Sequence, residues 1–165
     1  MHPDVSRGLS YNIESSAEAE TNVISPAKWP SHNQHNAHSD EPQDHFITRN
    51  GVTFAGTHLI LDLWDATRLD DLELMESAMR DCVAACKATL LHIHLHHFTP
   101  NGGISGVAVL AESHISVHTW PERGFAAFDI FMCGDSQPEN AISVLKQAFS
   151  PRKMNIVEEL RGVSR

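Results

Sequence analysis

Apolar and polar positions alternate with two different periods along this chain, and the change of period marks its elements. From Thr57 to Trp64 the order THLILDLW switches character almost residue by residue, which predicts a strand. Over LDDLELMESAMRDCVAACKA the apolar positions fall at helical spacing instead, and Leu72, Met75, Met79, Val83 and Cys86 share one stripe. Asp70 and Asp71 stand where the positive end of that helix favours negative charge. Four β-rich runs follow: LLHIHLHHF to Phe98, ISGVAVLAE to Glu112, HISVHTW to Trp120 and FAAFDIFMC to Cys133. Pro100 to Gly103 and Pro121 to Gly124 supply chain-breaking residues between them. PENAISVLKQAF predicts a second helix opened by Pro138, and KMNIVEEL a last strand. The order is β-α-β-β-β-β-α-β, which implies an α+β fold, a two-layer sandwich of a mostly antiparallel sheet with two helices.

Residues 1 to 45 follow neither period. Their Ser, Asn, Pro, His and acidic residues predict a disordered N-terminal extension, leaving 46 to 165 as the one domain. His32, His35, His38 and His45 lie in that extension at irregular spacing and read as solvated tail residues.

Composition narrows the function classes. The net charge is −9 and no block of Lys and Arg occurs, so the footprint of a nucleic-acid binder is missing. No apolar run approaches the ~20 residues of a membrane span, and the first residues lack a secretory pattern, so a cytoplasmic location is expected. Three cysteines cannot all pair within one chain, and reduced thiols fit the same compartment.

Chemically capable side chains concentrate between Ser105 and Cys133, where Glu112, Ser113, His114, Ser116, His118, Glu122 and Cys133 fall among apolar runs. Singly, each has a plain structural role: Ser113 and His114 in a turn, His118 on a half-exposed strand, Cys133 as a small core residue. Their combination within one short stretch is what points to catalysis.

The segment GISGVAVLAESHISVHTWPERGFAAFDIFMCG closely resembles the self-cleavage region of the short prokaryotic class of S-adenosylmethionine decarboxylase proenzymes. THLILDLWDA, HHFTPNGGISG and RKMNIVEELRG extend the likeness to about Gly56–Gly162. NGGISG departs from the family's pattern by one additional residue. The resemblance implies autocatalytic serinolysis between Glu112 and Ser113, which leaves a pyruvoyl group in place of Ser113 as the only cofactor. That group would form a Schiff base with the substrate and draw off electrons during CO₂ loss, the task pyridoxal phosphate performs elsewhere. By the same resemblance His118 would remove the Ser113 α-proton during processing, and Ser105 would hydrogen-bond the processing intermediate. Cys133 would be the proton donor of turnover. Phe98 would stack on adenine, Glu122 would bind the ribose hydroxyls, and Trp120 would line the same site. The implied product supplies aminopropyl groups for spermidine biosynthesis. The implied assembly is a homo-oligomer of processed chain pairs, with sites built from two protomers.

One geometric demand follows from residue spacing. Positions 113 and 118 have opposite parity and would face opposite sides of a continuous strand, so a bend or bulge between them is expected if both serve one site. Two other functions are open to the same residues: a pyruvoyl decarboxylase of another amino acid such as ornithine or arginine, and a metal-binding β-protein using His92, His94 and His96 of one strand face. Cys82 and Cys86, four apart, share a helix face and are expected to be buried against the sheet.

Overall fold

The computed structural model describes residues 46–164. The expected N-terminal extension lies outside them, as do its four histidines. A short hairpin, β1 (Ile47–Arg49) and β2 (Val52–Phe54), comes first and was not expected from the sequence. Asn50 and Gly51 both have positive φ, the requirement of a tight two-residue connection, and Asn-Gly supplies it. The remaining order is as expected: β3 (Gly56–Trp64), α1 (Leu72–Ala85), β4 (Leu90–His97), β5 (Ile104–Leu110), β6 (Ser113–Trp120), β7 (Phe125–Cys133), α2 (Asn140–Phe149) and β8 (Lys153–Arg161).

The last six strands form one antiparallel sheet in the order β4-β5-β6-β7-β3-β8. Strand alternation sorts its two faces. Leu59, Leu61 and Leu63 of β3, Ile115 and Val117 of β6, and Phe128 and Ile130 of β7 join Met75 and Met79 of α1 and Leu145 and Phe149 of α2 in one buried cluster. The other face carries His58, His114, Ser116, His118, Asp129 and Phe131 and is only partly buried. It is called the open face below. None of the described helices is long and apolar enough to cross a membrane.

Asp71 caps α1 by accepting from the Leu74 N–H at 2.9 Å. Leu72, assigned above to the apolar stripe, is 38% exposed. It is the first residue of the helix, before the chain has turned onto the sheet, and the stripe runs instead through Met75, Ala78, Met79, Cys82 and Val83. The thiols of Cys82 and Cys86 are buried, but they point at the α2 entry, donating weakly to the Ala141 and Pro138 carbonyls at 3.9 and 3.8 Å. Helix α1 closes with the Lys87 and Ala88 N–H groups donating to the Ala84 and Val83 carbonyls, with Lys87 left-handed at φ 59°.

Two contacts set the spacing of the strands that matter later. A Cβ on Gly106 would stand 2.4 Å from the His94 carbonyl oxygen, so β4 and β5 reach this approach only with glycine there. The buried Thr119 hydroxyl accepts from the Ile104 N–H at 2.7 Å and donates to the Leu69 carbonyl at 2.9 Å, tying the start of β5 to the loop before α1. Thr119→Val keeps the shape but leaves a buried N–H and a carbonyl without partners. The expected loss is about 2 kcal/mol in chemical denaturation; an unchanged urea midpoint would show that the hydroxyl is not a structural clip.

Candidate functional site

The hairpin β5–β6 carries the candidate residues, and its ends hold two different grooves. At the far end from the turn, Phe98, Ser105, His118, Trp120 and Glu122 line an open cavity of ≈370 Å³, together with Asn101 and Gly103. Ser105 and His118 are register partners across β5 and β6, and Ser105 Oγ is hydrogen-bonded to His118 Nδ1 at 2.8 Å. That bond leaves Nε2 as the ring nitrogen available for proton transfer. Phe98 and Trp120 are not core residues. They are 48% and 42% exposed, Phe98 meeting His96 edge-on and Trp120 stacking on Phe125.

The loop carrying NGG folds on itself. The Phe98 N–H donates to the Gly103 carbonyl at 2.7 Å and the Gly102 N–H to the Phe98 carbonyl at 2.8 Å. The additional residue is therefore taken up inside a closed turn, and Phe98 and Ser105 still border one cavity. Glu122 sits in a 3₁₀ turn, Pro121–Arg123, which Gly124 ends at φ 57°.

The near end is the two-residue connection Ala111–Glu112. Leu110 and Ser113 are the last paired residues of the hairpin, and Glu112 between them has φ 63°, a left-handed conformation that costs a non-glycine residue about 1 kcal/mol or more. Ser113 is buried at 7% exposure, and its Oγ accepts from the Cys133 N–H at 3.1 Å. Glu112 and Cys133 line a second open cavity of ≈370 Å³ with Lys87, Thr89 and Asp135. Burial first, and the Glu112 carboxylate second, push the Cys133 thiol above its ordinary pKa.

The expected bend between positions 113 and 118 is absent. Register runs unbroken from Leu110↔Ser113 to Ser105↔His118, because every second residue of β6 is needed in the core. Ser113 therefore faces the helices and His118 the open face, five residues and roughly 16 Å of strand apart. One chain thus brings Phe98, Ser105, His118, Trp120 and Glu122 together, and separately Glu112, Ser113 and Cys133. It does not bring the two groups to each other.

This divided arrangement can be set beside known proteins. Residues 57–162 match the family model described as S-adenosylmethionine decarboxylase. The chain belongs to the S-adenosylmethionine decarboxylase family. Among its relatives, an S-adenosylmethionine decarboxylase proenzyme of Thermomicrobium roseum is 46% identical over 109 residues, covering 66% of this chain and 94% of the relative. One of Methanococcus aeolicus is 48% identical over 110 residues, covering 65% and 93%. The crystal structure of the adenosylmethionine decarboxylase from Aquifex aeolicus superimposes with a TM-score of 0.59 at 28% identity, covering 68% of this chain and 94% of that one. The residues outside the family match are thus chiefly the first 56.

Sequence reasoning passed over a polar cluster on the open face. Arg161 can only donate, so its contact with His58 Nδ1 at 3.2 Å leaves the ring proton on Nε2. Nε2 stands 3.3 Å from Asp129 Oδ1, close to the carboxylate but without hydrogen-bond alignment. Ser116 donates to the other Asp129 oxygen at 3.4 Å, and His114 stacks on Phe131 beside this group. Strand parity alone would have placed His114, Ser116 and His118 on one face, but the partners come from β3, β7 and β8, and only the register brings them together. His92, His94 and His96 lie along β4, an edge strand, and among the described residues no three His, Cys, Asp or Glu side chains converge to hold a metal ion.

Burial, and then the neighbouring His58, hold the His114 imidazole below its ordinary pKa of 6.5, with Asp129 opposing. The unfolded chain therefore takes up this proton first as pH falls. The His114 contribution to stability is complete above the ordinary value and is lost on acidification toward the lower, folded one. Urea midpoints at pH 8 and pH 5.5 should fall further for wild type than for His114→Gln. Equal falls would remove His114 from the acid sensitivity.

Proposed function

We propose that this chain is the proenzyme of a pyruvoyl-dependent decarboxylase of S-adenosylmethionine that cuts itself between Glu112 and Ser113, in a cytoplasmic reaction supplying aminopropyl groups for spermidine. The observation that carries the reading is the scissile turn: a buried serine hydroxyl, held by a backbone N–H, directly after a left-handed glutamate. Family membership supports the substrate.

In the processing step Ser113 Oγ attacks the Glu112 carbonyl carbon, and the amide becomes an ester. The Cys133 N–H aimed at Oγ favours negative charge developing there, and release of the left-handed constraint at Glu112 favours the cut. His118 then takes the Ser113 α-proton, the ester breaks to free the Glu112 carboxylate, and water displaces the nitrogen as ammonia. Ser105, bonded to His118, steadies the tetrahedral intermediate of the acyl shift. The fit to a serine-derived pyruvoyl group rests on this turn. Once formed, that group supplies the electron sink for CO₂ loss. Cys133 keeps its thiol protonated and delivers a proton to the substrate α-carbon. Phe98 offers its exposed face to adenine, Glu122 accepts from the ribose hydroxyls, and Trp120 completes the wall.

The roles assigned to His118 and Ser113 need atoms that one chain holds apart. We therefore assign the complete site to two copies: open faces meet about a two-fold axis, and the His118 end of one hairpin lies over the Ser113 end of the other. Each copy then contributes to two equivalent sites.

The test is CO₂ release by the processed protein from S-adenosylmethionine, ornithine, arginine and lysine. Release is expected from S-adenosylmethionine alone, with kcat/KM lowered about ten- to a hundredfold in Glu122→Gln while the cut is retained. Release from a basic amino acid only, insensitive to Glu122, would refute the adenosyl substrate.

A further inference from the structure

The scissile turn and the end of β7 face one groove, so the residue left behind by the cut remains a neighbour of Cys133. Resting on the cleavage and proton-donor roles above, we propose that the cut end is a working part of the finished enzyme: Glu112 stays in this groove, where its side-chain carboxylate and the new α-carboxylate act as a positioning element that keeps Cys133 a thiol.

The anchoring is independent of the bond that breaks. The Ala111 N–H donates to the Thr89 carbonyl at 2.9 Å, and Leu110 is 2% exposed at the end of the hairpin ladder. After the cut, Glu112 is one residue beyond a fastened one, and a single residue step is about 3.8 Å. On the other side, Cys133 is held in the sheet by its pairing with Gly56 of β3, and β7 by the pairing of Phe131 with His114 of β6.

The chemistry changes at the cut by a full charge. Before it, the Glu112 carbonyl is a neutral amide; afterwards it is a carboxylate, formed together with the ammonia and pyruvoyl products of the balanced step above. The groove already holds Asp135 and the Glu112 side chain, with Lys87 as the one cation among its described lining residues. From the sheet, Gly56 of β3 pairs with both Cys133 and Arg161, while His58 and His114 flank Phe131 two residues away. An added anion beside the sulfur opposes the thiolate, and the uncut chain already shows that direction through Glu112. Processing thus creates the electrophile and sets the acid that serves it in one event.

The test is alkylation of Cys133 by iodoacetamide against pH, read as the mass of its peptide. Cys82 and Cys86 do not compete, since burial pushes both thiols up, that of Cys86 to about 11. At pH 8 the processed Glu112→Gln protein should react about three- to tenfold faster than processed wild type, and so should uncut Ser113→Ala. If Glu112→Gln is not cut, Ser113→Ala with and without Glu112→Gln reads the side-chain part in whole chains, and the double variant should react faster. Identical pH profiles in processed wild type and uncut Ser113→Ala, or in the uncut pair, would overturn the proposal. Normal decarboxylation with unshifted profiles refutes this inference alone; shifted profiles without decarboxylation uphold it and count instead against the catalytic reading.

Discussion

The period of two in the β5–β6 hairpin constrains everything else in this molecule. A two-residue connection fixes Leu110 against Ser113, and the ladder then carries that register without a slip to Ser105 against His118. Slipping by one would move Ile115 and Val117 out of the core, at about 1.5–3 kcal/mol for each side chain exposed. The gain from uniting Ser113 and His118 on one face would have to exceed that loss. The core wins, and Ser113 and His118 stay on opposite faces.

The turn at Glu112 shows how local strain is retained beside the bond proposed to be cut. Its left-handed φ costs on the order of 1–2 kcal/mol, a small sum beside the ladder, the Ala111–Thr89 bond and the Cys133–Ser113 bond that hold it on both sides. The strand ladder and the Ala111–Thr89 bond do not depend on the Glu112–Ser113 peptide itself. At the other end of the hairpin, Thr119 and the closed loop at Phe98 perform the equivalent service for the second groove.

Much of this was legible in the sequence because strand and helix periods differ so plainly. The six sheet strands and both helices were each anticipated from their runs, and the stretch from Ser105 to Cys133 stood out by residue type alone. The hairpin at 47–54 was missed because its strands are three residues each, too short to show alternation. Leu72 was misassigned because helical spacing does not reveal where a helix first meets its sheet. The two-groove division was harder still. Parity stated the conflict between positions 113 and 118, yet resolving it with a bulge assumed that one chain must complete its own site. The open-face cluster of His58, Asp129, His114 and Arg161 needed strand order, which residue spacing does not encode.

A shared site makes a demand that a self-contained one does not, and co-expression of two differently tagged chains tests it. Ser113→Ala cannot be cut, and His118→Ala lacks its own processing base, so each should remain whole when expressed alone. In a mixed pair, one site loses both groups and the other keeps both. The His118→Ala chain should then be cut between Glu112 and Ser113 when it is recovered with its Ser113→Ala partner. A His118→Ala chain that stays whole in that mixed pair, or that is cut when alone, would contradict a site built from two copies.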